Sequence, residues 1–219
     1  MILRRAILVV LLLGLPLAAG DKSKGVPMAK IPDQKAEVAE LTLATPAQSC
    51  NNYAWAVVVE AILKAQEVPL DQHFWVDKAS GGELCIDPLP ELERLTKVLD
   101  GGYTLTDGRK VKLATKVIAG APSISDDALA PLKHGVPILV FWNARAYVLE
   151  GAVYDEYIYP NGQRMYLIRE LKMLDPLAPA KKREVSFVNG TDDPAGIQAL
   201  VIVTATTLLR TQWQTETKW

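Results

Sequence analysis

Two cysteines and two histidines are the side chains of this sequence best suited to nucleophilic or metal chemistry. They are Cys50, Cys85, His73 and His134. A nucleophilic thiol needs an activating base beside it, and a structural zinc ion takes about four Cys, His or carboxylate ligands. Two histidines and one pair of cysteines do not make up a zinc ligand set. We therefore expect no metal site and no cofactor.

The two histidines have sequence contexts that favour structural roles. His73, in LDQHFWV, falls in a predicted short amphipathic helix, where we expect it to pack against neighbours or to face solvent. His134, in LKHGVP, directly precedes a turn glycine, and a cation is favoured near the C-terminal end of a helix. Neither histidine is predicted to act in catalysis.

The first twenty residues have the pattern of a secretory signal peptide. Arg4 and Arg5 form a positive n-region, an apolar run covers residues 6–17, and small residues follow at 18–20. The run is shorter than the ~20 apolar residues that cross a bilayer, although an uncleaved anchor is the alternative interpretation. We therefore expect a secreted or periplasmic protein with no stable membrane span after cleavage.

The composition is that of an ordinary globular chain. Of its 219 residues, 49% are hydrophobic and 22% charged, and a net charge of −1 gives no electrostatic reason to expect nucleic-acid binding. Residues 21–44 show no apolar period and are predicted to be a flexible linker. The predicted segments are a signal peptide at 1–20, the linker at 21–44, one domain at 45–207 and a tail at 208–219.

Helical patterns are concentrated in the first part of the predicted domain, residues 45–102. The strongest covers residues 49–67, where Glu60, Lys64 and Glu67 share one stripe and nearly every other residue is apolar. That distribution is typical of a helix buried on most sides. Shorter helices are predicted at 71–79 and 90–99.

Strand patterns dominate the second part, residues 103–207. Alternating apolar residues recur there, with Asp107-Gly108 and Asn161-Gly162 as two-residue hairpin signals. A short helix is predicted at 126–134. Helices followed by strands, without βαβ alternation, indicate an α+β fold with a helical half packed on an antiparallel β half.

The stretch TPAQSCNNYAWAVVVEAILKAQ, residues 45–66, resembles the segment that carries the nucleophile in papain-like cysteine peptidases. In that family a Gln lies six residues before the nucleophilic Cys, and Trp-Ala follows it at the start of a long buried helix. Here Gln48 lies six residues before Ala54, and Trp55-Ala56 follow. The helix N-terminus favours a thiolate, and the Gln side chain donates to the oxyanion.

A second resemblance to this family lies in the β half. The family's His occurs in a phrase like His-Ala-(apolar)₃-Gly, and the matching phrase RAYVLEG has Arg145 at that position. The Asn or Asp that orients the His is often followed by Pro in bacterial members, and Asp175-Pro176 matches it. The resemblance covers roughly residues 45–206 and implies a papain-like fold.

The same resemblance implies an inactive catalytic site. Ala54 has no nucleophile, and the guanidinium of Arg145 stays protonated and cannot act as a base. We expect Arg145 to form an ion pair with Asp175 in place of the family's His–Asp pair.

Two interpretations remain for the cysteines. An oxidising compartment favours a disulfide between Cys50 and Cys85, and the family often has a disulfide cysteine three residues before its nucleophile. Cys50 lies four residues before Ala54. The alternative is that Cys50 is a displaced nucleophile with a free, reactive thiol.

The function that these patterns favour is a catalytically inactive, secreted papain-like domain. It would bind a peptide or protein segment in a groove near Gln48, Trp55 and Tyr147, or serve as a structural module. One alternative is an active cysteine peptidase that uses Cys50. The other is an extracytoplasmic structural domain without a ligand groove.

Overall fold

The computed structural model describes residues 28–38, 41, 43, 53–82, 91–120, 126–178, 182–186 and 194–208. They form an α+β fold, rich in strands, as the sequence predicted. The elements in chain order are β1 (Ala29–Glu37), α1 (Ala54–Lys64), α2 (Gln72–Ser80), α3 (Leu92–Leu99), β2 (Gly101–Thr104), β3 (Lys110–Ala119), α4 (Asp126–Lys133), β4 (Ile138–Trp142), β5 (Arg145–Ile158), β6 (Arg164–Leu174), β7 (Lys182–Ser186), a 3-10 turn (Pro194–Gly196) and β8 (Ile197–Thr207).

The strands form one antiparallel sheet in the order β2-β3-β8-β4-β5-β6-β7. The long strand β5 pairs with β4 through its first five residues and with β1 through its last eight, along the same edge. On its other edge β5 pairs with β6 from Val148 onwards. Both predicted hairpins are confirmed, because residues 107–108 connect β2 to β3 and residues 161–162 connect β5 to β6.

Helix α1 is buried along almost its whole length, as its apolar sequence requires. Trp55, Val58, Val59, Ile62 and Leu63 are each no more than 3% exposed. The helix ends earlier than the sequence pattern suggests, because the chain turns at 65–67 before Pro69. The predicted helices at 71–79, 90–99 and 126–134 are confirmed to within about two residues at each end.

Gln66 fixes the C-terminal end of α1 to the sheet. Its amide nitrogen donates to the carbonyl of Val203 at 2.9 Å, and its amide oxygen accepts from the N–H of Ala205 at 2.9 Å. Strand β4 pairs with β8 only as far as Val201, so the Gln66 side chain takes the place of a neighbouring strand beyond that point. This satisfies backbone groups that would otherwise lack partners.

The two faces of the sheet carry separate apolar clusters. One cluster joins α1, α2 and α3 to Leu139, Phe141, Ala146, Val148 and Val201, and we call this side the α1 face. The other joins α4 to Val140, Trp142, Tyr147, Leu149 and Leu200, and we call it the α4 face. Successive residues of a strand point to opposite faces, so neighbours along β4 and β5 alternate between the two clusters.

The prediction of a flexible linker at residues 21–44 is wrong for residues 29–37, which form β1. Backbone pairing from Ala29 opposite Ile158 to Glu37 opposite Gly151 attaches this segment to β5. Most side chains of β1 are exposed, and Ala36 alone among them is buried. The strand therefore has no apolar period, and the sequence pattern could not reveal it. Among the described residues, no helix is long and apolar enough to cross a membrane.

Candidate functional site

Ala54 is the first residue of α1, the position that the resemblance assigns to a nucleophile. Tyr53 precedes it and is 3% exposed, and its ring meets His73 edge-to-face with centroids 5.7 Å apart. Trp55 follows and is buried in the cluster of the α1 face. The side chain at position 54 is a methyl group, which offers no nucleophile. His73 packs against a neighbouring ring, in agreement with its predicted role.

Gln48, Cys50 and Cys85 lie outside the described residues. The predicted oxyanion donor, the predicted disulfide and the alternative role of Cys50 as a nucleophile therefore stay predictions.

Arg145 and Asp175 form the ion pair that the sequence predicted. The Nη2 atom of Arg145 lies 3.1 Å from Oδ1 and 3.3 Å from Oδ2 of Asp175. The backbone N–H of Leu177 also donates to Oδ1 at 2.9 Å. The carboxylate side chain is 14% exposed and that of Arg145 is 44% exposed. The pair thus connects the start of β5 to the turn that follows β6.

The side chain of Arg145 lies on the α4 face of the sheet, away from α1. In the register of β4 and β5, Phe141 is opposite Ala146 on the α1 face, and Trp142 is opposite Arg145 on the other. The guanidinium also lies over the ring of Tyr147, 5.5 Å from its centroid. Strand alternation therefore directs the Arg145 side chain to the face of the sheet opposite the one that α1 covers.

The ring of Tyr147 packs against the guanidinium of Arg145. This ring is 2% exposed and lies 5.5 Å from the ring of Trp142. The ring faces the interior of the α4 face rather than solvent. Of the three residues predicted to bind a ligand, Tyr147 and Trp55 are buried on opposite sides of the sheet, and Gln48 is not described.

The hairpin turn between β4 and β5 is strained. Asn143 has φ 48° and Ala144 has φ 58°, both in the left-handed region. Asn tolerates this conformation, whereas the Cβ of Ala disfavours it by about 1 kcal/mol or more. The N–H of Ala144 donates to the side-chain oxygen of Gln198 at 3.3 Å, and the N–H of Asn143 donates to the carbonyl of Gly196 at 3.0 Å.

Gly196 allows this turn to pack closely on the 3-10 turn before β8. A Cβ at Gly196 would overlap the side chains of Asn143 and Trp142. Only a glycine therefore fits between the two turns without a shift of its neighbours. The close fit holds the strained turn in one conformation beside Arg145.

Leu177 adds an apolar element to the same region. It is 42% exposed, and its N–H shares the Oδ1 atom of Asp175 with Arg145. Sequence reasoning missed Leu177, Ala144 and Gly196, because no local signal marks an exposed leucine or a left-handed alanine as special. We call the group formed by Asn143, Ala144, Arg145, Asp175, Leu177 and Gln198 the Arg145 surface.

A second polar cluster surrounds Asp155, whose side chain is 2% exposed. Lys30 contacts its Oδ2 at 2.9 Å, and the N–H of Asp33 donates to its Oδ1 at 3.2 Å. Arg169 lies 3.6 Å from Oδ1 and also contacts Asp33 at 2.8 Å. The register of both neighbouring strands shifts beside Asp155, which leaves the backbone N–H of Asp33 pointing at the carboxylate.

These contacts favour the ionised forms of Asp155 and Lys30. The hydrogen bond from Lys30 is the main cause that lowers the pKa of Asp155, with smaller contributions from the Asp33 N–H and the charges of Lys30 and Arg169. Burial opposes this effect on the Asp155 carboxyl. The hydrogen bond to Asp155 likewise raises the pKa of Lys30. The cluster attaches the N-terminal part of β1 to the sheet as an ionised group.

Within the described segments, no group of three or more His, Asp or Glu side chains is arranged to hold a metal ion. His134 lies just after α4, where its N–H donates to the carbonyls of Ala130 and Pro131, and Gly135 turns the chain with φ 74°. His134 thus occupies the helix C-terminus that the sequence indicated.

Comparison of the chain with models of known protein families found no match, and comparison with curated proteins found none either.

Proposed function

We propose that this chain is a catalytically inactive, exported domain that binds a peptide or protein segment through the Arg145 surface. The observation that carries the proposal is the half-exposed guanidinium of Arg145, held in place by Asp175 and by the ring of Tyr147. A cation fixed in this way loses little conformational freedom when it binds a ligand.

The donors of Arg145 define the chemistry of the ligand. Within the described residues, the guanidinium of Arg145 bonds to Asp175 through one nitrogen, Nη2. The Nε and Nη1 groups therefore have hydrogen-bonding capacity toward solvent. Arginine pairs well with carboxylates and also donates to peptide carbonyls, so an extended peptide with an acidic side chain or a free C-terminus fits best.

The apolar and backbone parts of the Arg145 surface support the same ligand class. Leu177 offers an exposed aliphatic side chain next to the ion pair, and the turn at Asn143 and Ala144 is rigid because Gly196 packs beneath it. An apolar contact next to a fixed polar group is the combination found at peptide-recognition sites.

A papain-like ancestor would account for part of this arrangement. The order of elements and the Arg145–Asp175 pair agree with it, and Ala54 provides no nucleophile. The placement of Arg145 on the α4 face argues against a shared groove with α1. The proposed ligand surface is therefore on the other side of the sheet from the groove that the resemblance implies.

Selection with a phage-displayed library of random peptides tests the proposal. We expect the chain without residues 1–20 to enrich peptides with an acidic residue or a free C-terminus, and Arg145→Ala to lose their binding at least about tenfold. Arg164→Ala is the matched control, because Arg164 forms a similar half-exposed pair with Glu156 near the opposite end of β5. Equal binding by Arg145→Ala and the unsubstituted chain would reject the proposed surface.

A further inference from the structure

None of the described strands pairs with one edge of β3 along its second half, and we call this part the free edge of β3. Residues 110–113 of the strand pair with β2, and after Leu113 no strand of the described chain lies along that side. The other edge of β3 pairs with β8 from Val111 to Ala119. Residues 115–119 therefore lie at the edge of the sheet.

The direction of the backbone groups on this edge follows from two hydrogen bonds. Gly120 donates its N–H toward β8, to the carbonyl of Gln198 at 2.9 Å, whereas Thr115 donates its N–H outward, to the carboxylate of Asp100 at 2.6 Å. Backbone groups of a strand alternate in direction. The N–H and carbonyl groups of Val117 and Ala119 therefore point outward with those of Thr115.

The side chains of residues 115–119 leave the outward backbone groups of this edge accessible. Val117 is 42% exposed and lies in the middle of the free segment. Exposed edges are commonly protected by lysines, and Lys116 is the one charged residue among 115–119. Its Nζ, however, contacts Asp127 of α4 at 2.7 Å, which holds the side chain on the α4 face and partly offsets its charge.

We infer that the free edge of β3 pairs with the same edge of a second copy of this chain. A twofold axis at Val117 would place the two valines opposite each other and Thr115 opposite Ala119, in an antiparallel arrangement. Val117 and Ala119 would donate four N–H groups across the interface, two from each copy. Asp100 occupies the N–H of Thr115 and would end the paired segment there.

A second copy fits this edge better than an unrelated strand for two reasons. The interface is self-complementary, because each copy presents the same outward donors and acceptors in the same spacing. The pairing buries a β-branched apolar side chain of each copy against its equivalent, a favourable cross-strand pair. Lys116 would lie opposite Ile118 of the other copy, and its contact with Asp127 reduces the repulsion between the two lysines.

Sedimentation velocity over a concentration series tests the inference. We expect the chain without residues 1–20 to form dimers, and Val117→Pro to weaken dimerisation at least about tenfold, because proline removes an outward N–H from each copy. Val117→Thr is the matched control. It keeps the N–H and the branched shape, so its dimer should weaken less than that of Val117→Pro. A monomer at all concentrations, or a dimer unaffected by Val117→Pro, would overturn the inference.

Hydrogen exchange gives a readout that does not depend on the proline variant folding. In the unsubstituted chain, exchange in a peptide covering residues 115–119 should slow as the protein concentration rises. Circular dichroism of Val117→Pro checks its fold separately. Exchange in 115–119 that is independent of concentration would also reject pairing through β3.

Discussion

The carboxylate of Asp175 joins Arg145 at the start of β5 to the turn after β6, with Nη2 3.1 Å from Oδ1. The same oxygen accepts the N–H of Leu177 at 2.9 Å. The carboxylate therefore orders a backbone turn and orients a guanidinium at once. Because the pair is on the α4 face, it can shape a binding surface without contact with α1.

Asp175→Ala should lower the free energy of unfolding by about 1–2 kcal/mol, because it leaves the Leu177 N–H without its acceptor. Arg145→Ala should cost less than about 1 kcal/mol, because its side chain is largely solvated. Urea denaturation of both variants and of the double variant gives their coupling energy. A larger cost for Arg145→Ala than for Asp175→Ala would contradict this account of the carboxylate.

Placing Cys at position 54 and His at position 145, the residues that the papain-like resemblance implies there, should not create a catalytic pair. Strand alternation directs the side chain at position 145 to the α4 face, whereas helix α1 packs against the opposite face of the sheet. The rate of thiol labelling by a peptide with a cysteine-reactive group should be similar in Ala54→Cys and in Ala54→Cys/Arg145→His. Both are measured in a Cys50→Ala/Cys85→Ala background. If Ala54→Cys/Arg145→His hydrolysed peptides and Ala54→Cys did not, the two side chains would have to meet.

The stability contributed by Asp155 should depend on pH with a defined sign. Its pKa is lowered in the folded state, so its contribution is fully present above the unfolded value of about 4 and is lost as pH falls through the lower folded value. Asp155→Asn should therefore be destabilised at pH 7, by about 2 kcal/mol or more, and the difference from the unsubstituted chain should shrink below about pH 4.

Thermal unfolding of both proteins between pH 7 and pH 2 measures this difference. Asp107→Asn is the control, because Asp107 also pairs with an arginine but is exposed on a hairpin turn. We expect little effect of this control substitution on the melting temperature at pH 7. If the difference in melting temperature between Asp155→Asn and the unsubstituted chain stayed constant down to pH 2, that result would contradict an ionised Asp155.

The strained β4–β5 turn predicts opposite effects for two substitutions. Ala144→Gly should stabilise the fold by about 0.5–1 kcal/mol, because glycine adopts φ 58° without steric cost. Gly196→Ala should destabilise it by about 1–3 kcal/mol, because the added methyl overlaps Asn143 and Trp142. Chemical denaturation measures both changes, and a stabilising Gly196→Ala would show that the two turns are not closely packed.

Much of the secondary structure was predictable because its signals are local. The buried helix α1 follows from an apolar run with one charged stripe, and the hairpins follow from Asp107-Gly108 and Asn161-Gly162. Strand β1 was not predictable, because β5 attaches it through backbone groups that any sequence carries and through Lys30, whose partner Asp155 is far along the chain.

The sequence by itself determined the α+β class and the complementary charges of Arg145 and Asp175. Those are properties of residue type and of local period. The tertiary structure alone decided which face of the sheet each side chain occupies. In a strand a shift of one residue reverses the face, so the register of β4 and β5 placed Arg145 beside Tyr147 and away from α1.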